Sequence, residues 1–405
     1  MPIQGYLREQ VDWPQPFPAA EYAARRAGVR AQLTAKGLDA IYVTLPADLT
    51  WLTNYDMIWY HGRNMTGLLV LADRDETVFF DYQGHVTLVS TTPEIRDAVW
   101  YARGDVADHI KVIADAFAQR GLGKARIALQ PWGYAPNASV MDAFAKRLED
   151  GGARVGDGSQ LVEELRLVKS PAEIAVMHRA AAMADEAMAA ARDAIRPGVM
   201  ETELEAVIMG SLMKNGAGYP GIRTMIGTGP RAGTHHSPAQ HRRIKRGDLV
   251  FIDFCASLHR YHVNLNRTFS LGEPDKRWVD LMTRSAGCVD RVIAEMRPGD
   301  PWSKAADIGE RYVDEVGLRE YLWWVGGYAQ GIALPPDWCG TYWVAPRAGT
   351  PDRPCVAGMF FNYENQWDVW ENWPGGSGAA YIETFEMTAT GLRVVSKLPR
   401  TLVVV

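Results

Sequence analysis

Residues 358 to 364 read Gly358-Met359-Phe360-Phe361-Asn362-Tyr363-Glu364, an apolar run that ends on an acid. A second acid stands in a similar setting, in Tyr381-Ile382-Glu383-Thr384. Three more polar side chains lie in apolar surroundings upstream, namely Asp253, Asn264 and Gln330. Divalent metals prefer carboxylate oxygens and imidazole nitrogens, whereas neutral amides are poorer ligands. The five positions therefore indicate a candidate metal site in which two of the side chains are poor ligands.

These five positions, with their neighbours, resemble the metal site of the pita-bread metallopeptidases, the creatinase/prolidase family. In that family they read Asp, Asp, His, Glu and Glu and hold two divalent ions. Here Asn264 stands for the second Asp and Gln330 stands for the His. The resemblance covers essentially the whole chain and implies the family's fold. With two ligands replaced we expect no bound metal; the alternative is one divalent ion held among Asp253, Asn264, Gln330, Glu364 and Glu383.

Length, composition and charge limit the number of domains and the classes of partner. A chain of 405 residues with 47% hydrophobic and 22% charged residues has room for two domains. A net charge of -5 argues against a nucleic-acid partner, and no apolar run approaches the ~20 residues of a membrane span. The N-terminal segment lacks the order of a signal peptide, and the four cysteines show no close pairing. We therefore expect a cytoplasmic protein without a membrane partner.

Helix and strand signals divide the chain near residue 165. Upstream, helical and strand-like segments alternate, which predicts an α/β domain over residues 1–165. Ser170, Pro171 and Glu173 then form a helix-start signature. Downstream, helices and strands fit a pseudo-duplicated α+β domain over residues 166–405. The family resemblance implies a creatinase N-terminal, ribonuclease H-like domain first and the pita-bread catalytic domain second.

His236 is the leading candidate for catalysis. It lies in Thr234-His235-His236-Ser237-Pro238, a fixed interval before Lys245-Arg246-Gly247-Asp248. This spacing resembles creatinase, the metal-free C–N hydrolase of the fold, in which the matching His is the general acid/base. Histidine titrates near neutrality and can serve this role without a metal. The alternatives are a substrate-binding His, as in the metal-dependent relatives, or an ordinary loop residue.

Glu364 and Glu383 are the other candidate catalytic residues. Two buried acids without a metal repel each other unless a cation lies between them, and in creatinase the Glu matching Glu364 holds a guanidinium. Asp253 would complete an acidic wall. The alternative for these acids is a structural ion pair with Arg267 or Arg347.

The remaining predicted residues would bind substrate. The segment 51–63 resembles a creatinase stretch whose Arg binds the substrate carboxylate from the partner subunit, so Arg63, with Tyr60 nearby, would play that part. Asn266 stands at a substrate-binding position of creatinase. Asp337 and Trp338 belong to a Pro-Pro-Asp-Trp stretch similar to that of ectoine hydrolases. The tryptophans Trp338, Trp343, Trp367, Trp370 and Trp373 bracket Glu364 and suit a cationic ligand.

Together these features predict an enzyme. We expect a metal-independent hydrolase that cleaves a C–N bond in a small zwitterionic amidine or guanidino compound, in the manner of creatinase or ectoine hydrolase. The family resemblance implies a homodimer with an active site shared between subunits. Two alternatives remain: a metal-assisted Xaa-Pro peptidase or dimethylsulfoniopropionate-type lyase of the same fold, and a non-catalytic binding protein.

Overall fold

A computed structural model describes residues 6–58, 62–345, 352–369, 371 and 373–405. Tyr60, Arg347 and Trp370, which the sequence singled out, lie outside the described residues. The chain divides into two compact units, Met1–Arg166 and Leu167–Val405. In the part of the chain that the structure describes, no helix is long and apolar enough to cross a membrane.

The first unit is an α/β domain built on one mixed sheet. Its strands lie in the order β4-β3-β2-β1-β5-β6, with bounds β1 (Ala40–Val43), β2 (Gly67–Leu71), β3 (Thr77–Tyr82), β4 (Ala98–Tyr101), β5 (Arg126–Leu129) and β6 (Arg154–Asp157). The β1–β2 and β2–β3 pairs are antiparallel, and the others are parallel. Its helices are α1 (Tyr6–Glu9), α2 (Ala19–Lys36), α3 (Pro46–Thr53), α4 (Val86–Ser90), α5 (Val106–Gln119), α6 (Ala138–Asp150) and α7 (Leu161–Arg166).

The second unit begins at the helix start that the sequence predicts. The Ser170 side chain accepts from the Glu173 amide, Glu173 in turn accepts from the Ser170 amide, and Pro171 occupies the first turn. This capping box satisfies backbone donors that the first turn would leave unpaired. The helices of the unit are α8 (Pro171–Ala194), α9 (Glu201–Lys214), α10 (Lys276–Glu295) and α11 (Ser303–Glu315).

A nine-stranded sheet organises the second unit. Its main path runs β11-β10-β12-β13-β9-β8-β7, with β14 paired to β13 and β15 paired to β9. The strands are β7 (Met225–Thr228), β8 (Leu249–Leu258), β9 (Tyr261–Ser270), β10 (Leu322–Tyr328), β11 (Trp343–Val344), β12 (Phe360–Asp368), β13 (Gly378–Met387), β14 (Leu392–Val394) and β15 (Val403–Val404). Helix α8 packs on β8 and β9, while α10 packs on β12 and β13.

The central strands are buried along their whole length, which is why polar residues within them stand out. Every residue of β8, β9 and β13 is buried. A buried polar side chain needs a hydrogen-bond partner, because leaving it unpaired costs roughly 1–3 kcal/mol. The acids and amides of these strands must therefore bond to one another or to a ligand. Their arrangement defines the candidate site.

Candidate active site

A cavity of about 420 Å³ opens in the second unit and brings several predicted residues together. Asp253, Glu364, His236, Asp337 and Trp338 all line it. Its volume falls in the range of small-molecule sites, ~300–1,000 Å³. This cavity is the candidate active site.

Two carboxylic acids reach the cavity from the sheet. Asp253 lies in the middle of β8 and Glu364 in β12, and only 5% and 7% of their surfaces are exposed. Asn264 Nδ2 donates to Asp253 Oδ1 at 2.7 Å. Glu364 accepts from Asn362 Nδ2 at 2.7 Å and from Gln366 Nε2 at 2.5 Å. Neutral amides thus hold both acids, and no ion pair joins either acid to a basic side chain of the described residues.

Among the described residues, no basic side chain pairs with these acids to compensate the charge that they carry when ionised. Burial, reinforced by the charge of Glu364, raises the pKa of Asp253 to about 8. Burial also raises the pKa of Glu364, although its hydrogen bonds from Asn362, Tyr328 and Gln366 oppose the shift. Both acids would ionise more readily with a positive charge between them. The pair is therefore suited to an incoming cation.

Aromatic side chains form the walls of the cavity. Trp324 and Trp343 meet at 83° with their rings 6.4 Å apart, and Tyr328 and Trp343 meet at 68° with rings 5.5 Å apart. Trp338 donates from Nε1 to the Tyr328 hydroxyl at 3.0 Å, which fixes both rings. Aromatic faces attract organic cations through their quadrupoles, by ~0.5–2 kcal/mol per contact. The aromatic walls therefore favour a cationic ligand, as the two acids do.

His236 reaches the cavity from an exposed segment between β7 and β8. Its backbone has φ of 62°, a left-handed conformation that non-glycine residues rarely adopt. Its ring packs edge-to-face on Trp323 at 5.6 Å. His235 packs on the same tryptophan at 4.5 Å, and burial lowers the pKa of His235 to about 4, so that ring is neutral near pH 7. Of the two histidines, His236 is the one that lines the cavity.

The five positions that match the family's metal site carry few metal-binding side chains here. Asn264 and Gln330 are neutral, and Thr384 Oγ1 donates to Gln330 Oε1 at 2.5 Å. Arg267 Nη2 donates to Glu383 Oε1 at 2.6 Å, so a guanidinium already supplies the counter-charge. Among the described residues, no three His, Cys, Asp or Glu side chains are grouped to hold an ion. The donor set does not fit two dications.

Glu383 and Asn266 lie apart from the cavity lining. Glu383 is fully buried and paired with Arg267, the structural ion pair that the sequence left open as an alternative. Asn266 is also fully buried, and its Nδ2 donates to the Ile252 carbonyl at 3.0 Å. The geometry therefore gives both residues a place in the sheet, and neither contacts the space where a ligand would lie.

The predicted carboxylate-binding residues belong to the first unit. Arg63 is exposed there, in the segment that follows α3. Tyr60 lies outside the described residues. The roles predicted for Arg63 and Tyr60 stay predictions.

Several residues at the site escaped the sequence interpretation. Trp323, Trp324 and Tyr328 line the cavity from β10, a strand that contains no acidic residue. Asn362 and Gln366 could have been found, because residues at i−2 and i+2 of a strand share the face of Glu364. Their amides bond that acid from both sides.

Residues 175–389 match the metallopeptidase family M24, and residues 25–168 match the creatinase/prolidase N-terminal domain. The chain belongs to the M24 family. It is thus a hydrolase of that family, with the creatinase-type N-terminal domain and the pita-bread C-terminal domain that the sequence predicted.

Relatives extend over nearly the whole chain. An uncharacterised hydrolase/peptidase of Sinorhizobium fredii is 28% identical, covering 97% of this chain and 98% of its own. The ectoine hydrolase of Halomonas elongata is 25% identical, covering 96% of this chain and 98% of its own. The solved structure of dipeptidase PepE from Mycobacterium ulcerans superposes with a TM-score of 0.81 at 22% identity, covering 96% of this chain and 99% of that one. The superposition confirms the fold.

Proposed function

We propose that this M24 hydrolase cleaves a C–N bond in a small amidine or guanidino compound without a bound metal. The observation that carries the proposal is the pair Asp253 and Glu364, which are buried, hydrogen-bonded to neutral side chains and open to a cavity with aromatic walls. An amidinium group offers the positive charge that such a pair lacks. It also offers planar N–H donors that match carboxylate oxygens.

The carboxylates would orient the substrate. Asp253 and Glu364 accept N–H bonds from the amidinium, so its carbon is held in place and stays electrophilic. Trp324, Tyr328 and Trp343 cover its apolar faces and exclude bulk water. Such positioning makes attack by one water molecule effectively intramolecular.

His236 would move the proton. Its imidazole takes a proton from water as the water oxygen bonds to the amidinium carbon. The tetrahedral intermediate then collapses, the proton passes from the imidazolium to the leaving nitrogen, and the C–N bond breaks. An amidine yields an amide and an amine, and a guanidino compound yields a urea and an amine. Atoms and charge balance with water alone as co-substrate.

A zwitterionic substrate would also need a partner for its carboxylate. Arg63 and Tyr60 are the residues proposed for this role, in a homodimer whose site takes residues from both subunits. Asp337 and Trp338 line the cavity and would contact the substrate there. The similarity to an ectoine hydrolase supports a cyclic amidine as the first compound to test.

The test uses protein purified without added metal and analysed for its metal content. It is incubated with ectoine, creatine, Xaa-Pro dipeptides and dimethylsulfoniopropionate, and products are followed by NMR. We expect turnover of the amidine or guanidino compound, unchanged by EDTA and abolished in His236→Ala.

Other outcomes would overturn the proposal. Loss of turnover on chelation with recovery on adding Mn²⁺ would establish a metal-assisted peptidase or lyase. Tight binding of a compound that emerges unchanged after long incubation would establish a binding protein.

A further inference from the structure

The segment that carries His236 is tied to one buried carboxylate. Glu201, the first residue of α9, is fully buried. Its carboxylate accepts hydrogen bonds from Thr228 Oγ1 at 2.7 Å, from the backbone N–H of Gln240 at 2.9 Å and from Arg231 Nη1. Thr228 and Gln240 flank His236 on the two sides. The Glu201 carboxylate therefore bonds to both ends of the loop 228–240 that carries His236.

Arg231 extends this anchor to the residues next to His236. Its Nη1 pairs with Glu201, and its Nη2 donates to Ser237 Oγ and, at 3.2 Å, to the Pro238 carbonyl. The guanidinium thus reaches the two residues that follow the histidine. Arg231 does not line the cavity, so any effect it has on chemistry passes through the loop.

The loop needs such an anchor because His236 has a costly backbone conformation. A non-glycine residue in the left-handed region is strained and persists only where surrounding bonds impose its conformation. The His236 side chain is exposed and has Trp323 as its ring contact. A single edge-to-face contact is too weak to impose a strained backbone conformation by itself. The bonds from Arg231 would supply the rest of the constraint.

We propose that Arg231 is a positioning residue, and that the Glu201–Arg231–Ser237 chain fixes the conformation in which His236 faces the cavity. The proposal rests on the proposed function for its kinetic consequence, but its structural part stands independently. The planar fork of arginine can bond Glu201 and Ser237 at once, whereas the single ammonium of lysine cannot hold both in this geometry.

Two variants separate positioning from folding. Arg231→Lys keeps a cation for the buried Glu201 and loses the second arm of the fork. Ser237→Ala leaves the Glu201–Arg231 pair intact and removes one acceptor beside His236. The control is Arg319→Lys, an arginine that also forks between two acids, Asp314 and Glu310, but on the surface beside α11.

The first readout is the ring signal of His236 in protein labelled with ¹³C-histidine, assigned by its disappearance in His236→Gln. We expect both loop variants to shift or broaden this signal, while Arg319→Lys leaves it unchanged. No substrate is required, so this readout tests the anchor even if the C–N hydrolase proposal fails. An unchanged His236 signal in both loop variants would overturn the inference.

The second readout is the kinetics of whichever panel compound is turned over. A displacement of about 1 Å at a catalytic group costs up to ~100-fold in rate, so we expect kcat to fall ~10- to 100-fold with KM within about twofold. Equal losses in the Arg319→Lys control would mean that the effect is general and the inference wrong. If His236→Ala retains turnover, the proposed function fails while the NMR result still decides the positioning role.

Discussion

Nδ2 of Asn264 donates a hydrogen bond of 2.7 Å to Oδ1 of Asp253, between the adjacent strands β9 and β8. The family resemblance implies an aspartate at the position of Asn264. Two carboxylates at this distance would repel, whereas an amide and a carboxylate attract. With an amide at position 264, the two side chains form a direct hydrogen bond and do not need a cation between them. Asp253 then lines the cavity together with Glu364.

Restoring the missing ligands should restore metal binding. We expect wild-type protein to bind Mn²⁺ substoichiometrically in calorimetric titration, because Asn264 and Gln330 are neutral and Glu383 is paired with Arg267. The Asn264→Asp/Gln330→His double variant should bind Mn²⁺ at least ~10-fold more tightly than the wild type. Removing even a residue that only hydrogen-bonds to a metal ligand lowers metal affinity by that factor. Stoichiometric binding of Mn²⁺ by the wild type would contradict the interpretation of the site.

Removing the charge of Glu364 should weaken cation binding. Glu364→Gln keeps the shape of the side chain but loses a charged acceptor, worth ~1.5–3 kcal/mol, so affinity for acetamidinium should fall about 10- to 100-fold. Titration of the intrinsic tryptophan fluorescence measures this, because Trp324 and Trp343 line the cavity. The matched control is Glu371→Gln, an exposed acid seven residues away. Equal affinity in both variants would remove Glu364 from the site.

Much of the fold could be predicted from local signals. The capping box at Ser170 and Glu173 marks the start of the second unit. It could be predicted because it depends only on residues within one helical turn of each other. Strand β8 could be predicted because both of its faces are buried and its sequence is a nearly continuous apolar run. In each case the determining contacts lie within a few residues.

The site was only partly predictable, because its contacts join distant segments. Glu383 and Glu364 stand in similar apolar runs, yet Arg267 reaches Glu383 from 116 residues away while Glu364 receives amides two residues away. Local sequence does not distinguish these environments. The same holds for Arg231, whose link to Glu201 spans 30 residues and has no motif.

The ligand-free site should reduce stability at alkaline pH. The folded-state pKa of Asp253 is about 8, above its ordinary value of 3.8, so the folded protein retains a proton that the unfolded chain has lost. Stability is therefore fully present below pH ~4 and falls as pH rises toward 8. Asp253→Asn removes this penalty and should stabilise the protein at pH 8 by up to about 5 kcal/mol in urea unfolding, while weakening acetamidinium binding. A variant less stable than wild type at pH 8 would contradict the shift.

A buried histidine should reduce stability at acid pH. His262 accepts from the Gly221 amide at 2.8 Å and its Nδ1 donates to the Arg260 carbonyl at 2.8 Å, which fixes a neutral ring. Burial lowers the pKa of His262 to about 4, whereas the unfolded chain takes up the proton near pH 6.5. Stability is thus lost as pH falls from 6.5 to 4, by ~3 kcal/mol over the window.

The informative quantity for a His262 variant is the slope of its unfolding free energy against pH, because the substitution also changes stability at every pH. His262→Gln should flatten the dependence of unfolding free energy on pH between 6.5 and 4. The control His241→Gln changes an exposed histidine and should leave the slope unaltered. Parallel curves for His262→Gln and wild type would rule out this linkage.

The Arg267–Glu383 pair should matter for stability and not for ligand binding. Only 3% of the Arg267 surface is exposed, and Glu383 is fully buried, so removing Arg267 takes away the close partner of Glu383 and leaves it with the more distant Arg400 Nη1, at 3.8 Å. Arg267→Met should cost ~3–5 kcal/mol in urea unfolding, and Arg267→Met/Glu383→Met should recover much of that loss, because a buried pair contributes little net stability over apolar side chains. Acetamidinium affinity should stay within about twofold of wild type in the double variant, since Glu383 does not line the cavity. Loss of binding there would return Glu383 to the catalytic role that the sequence predicted.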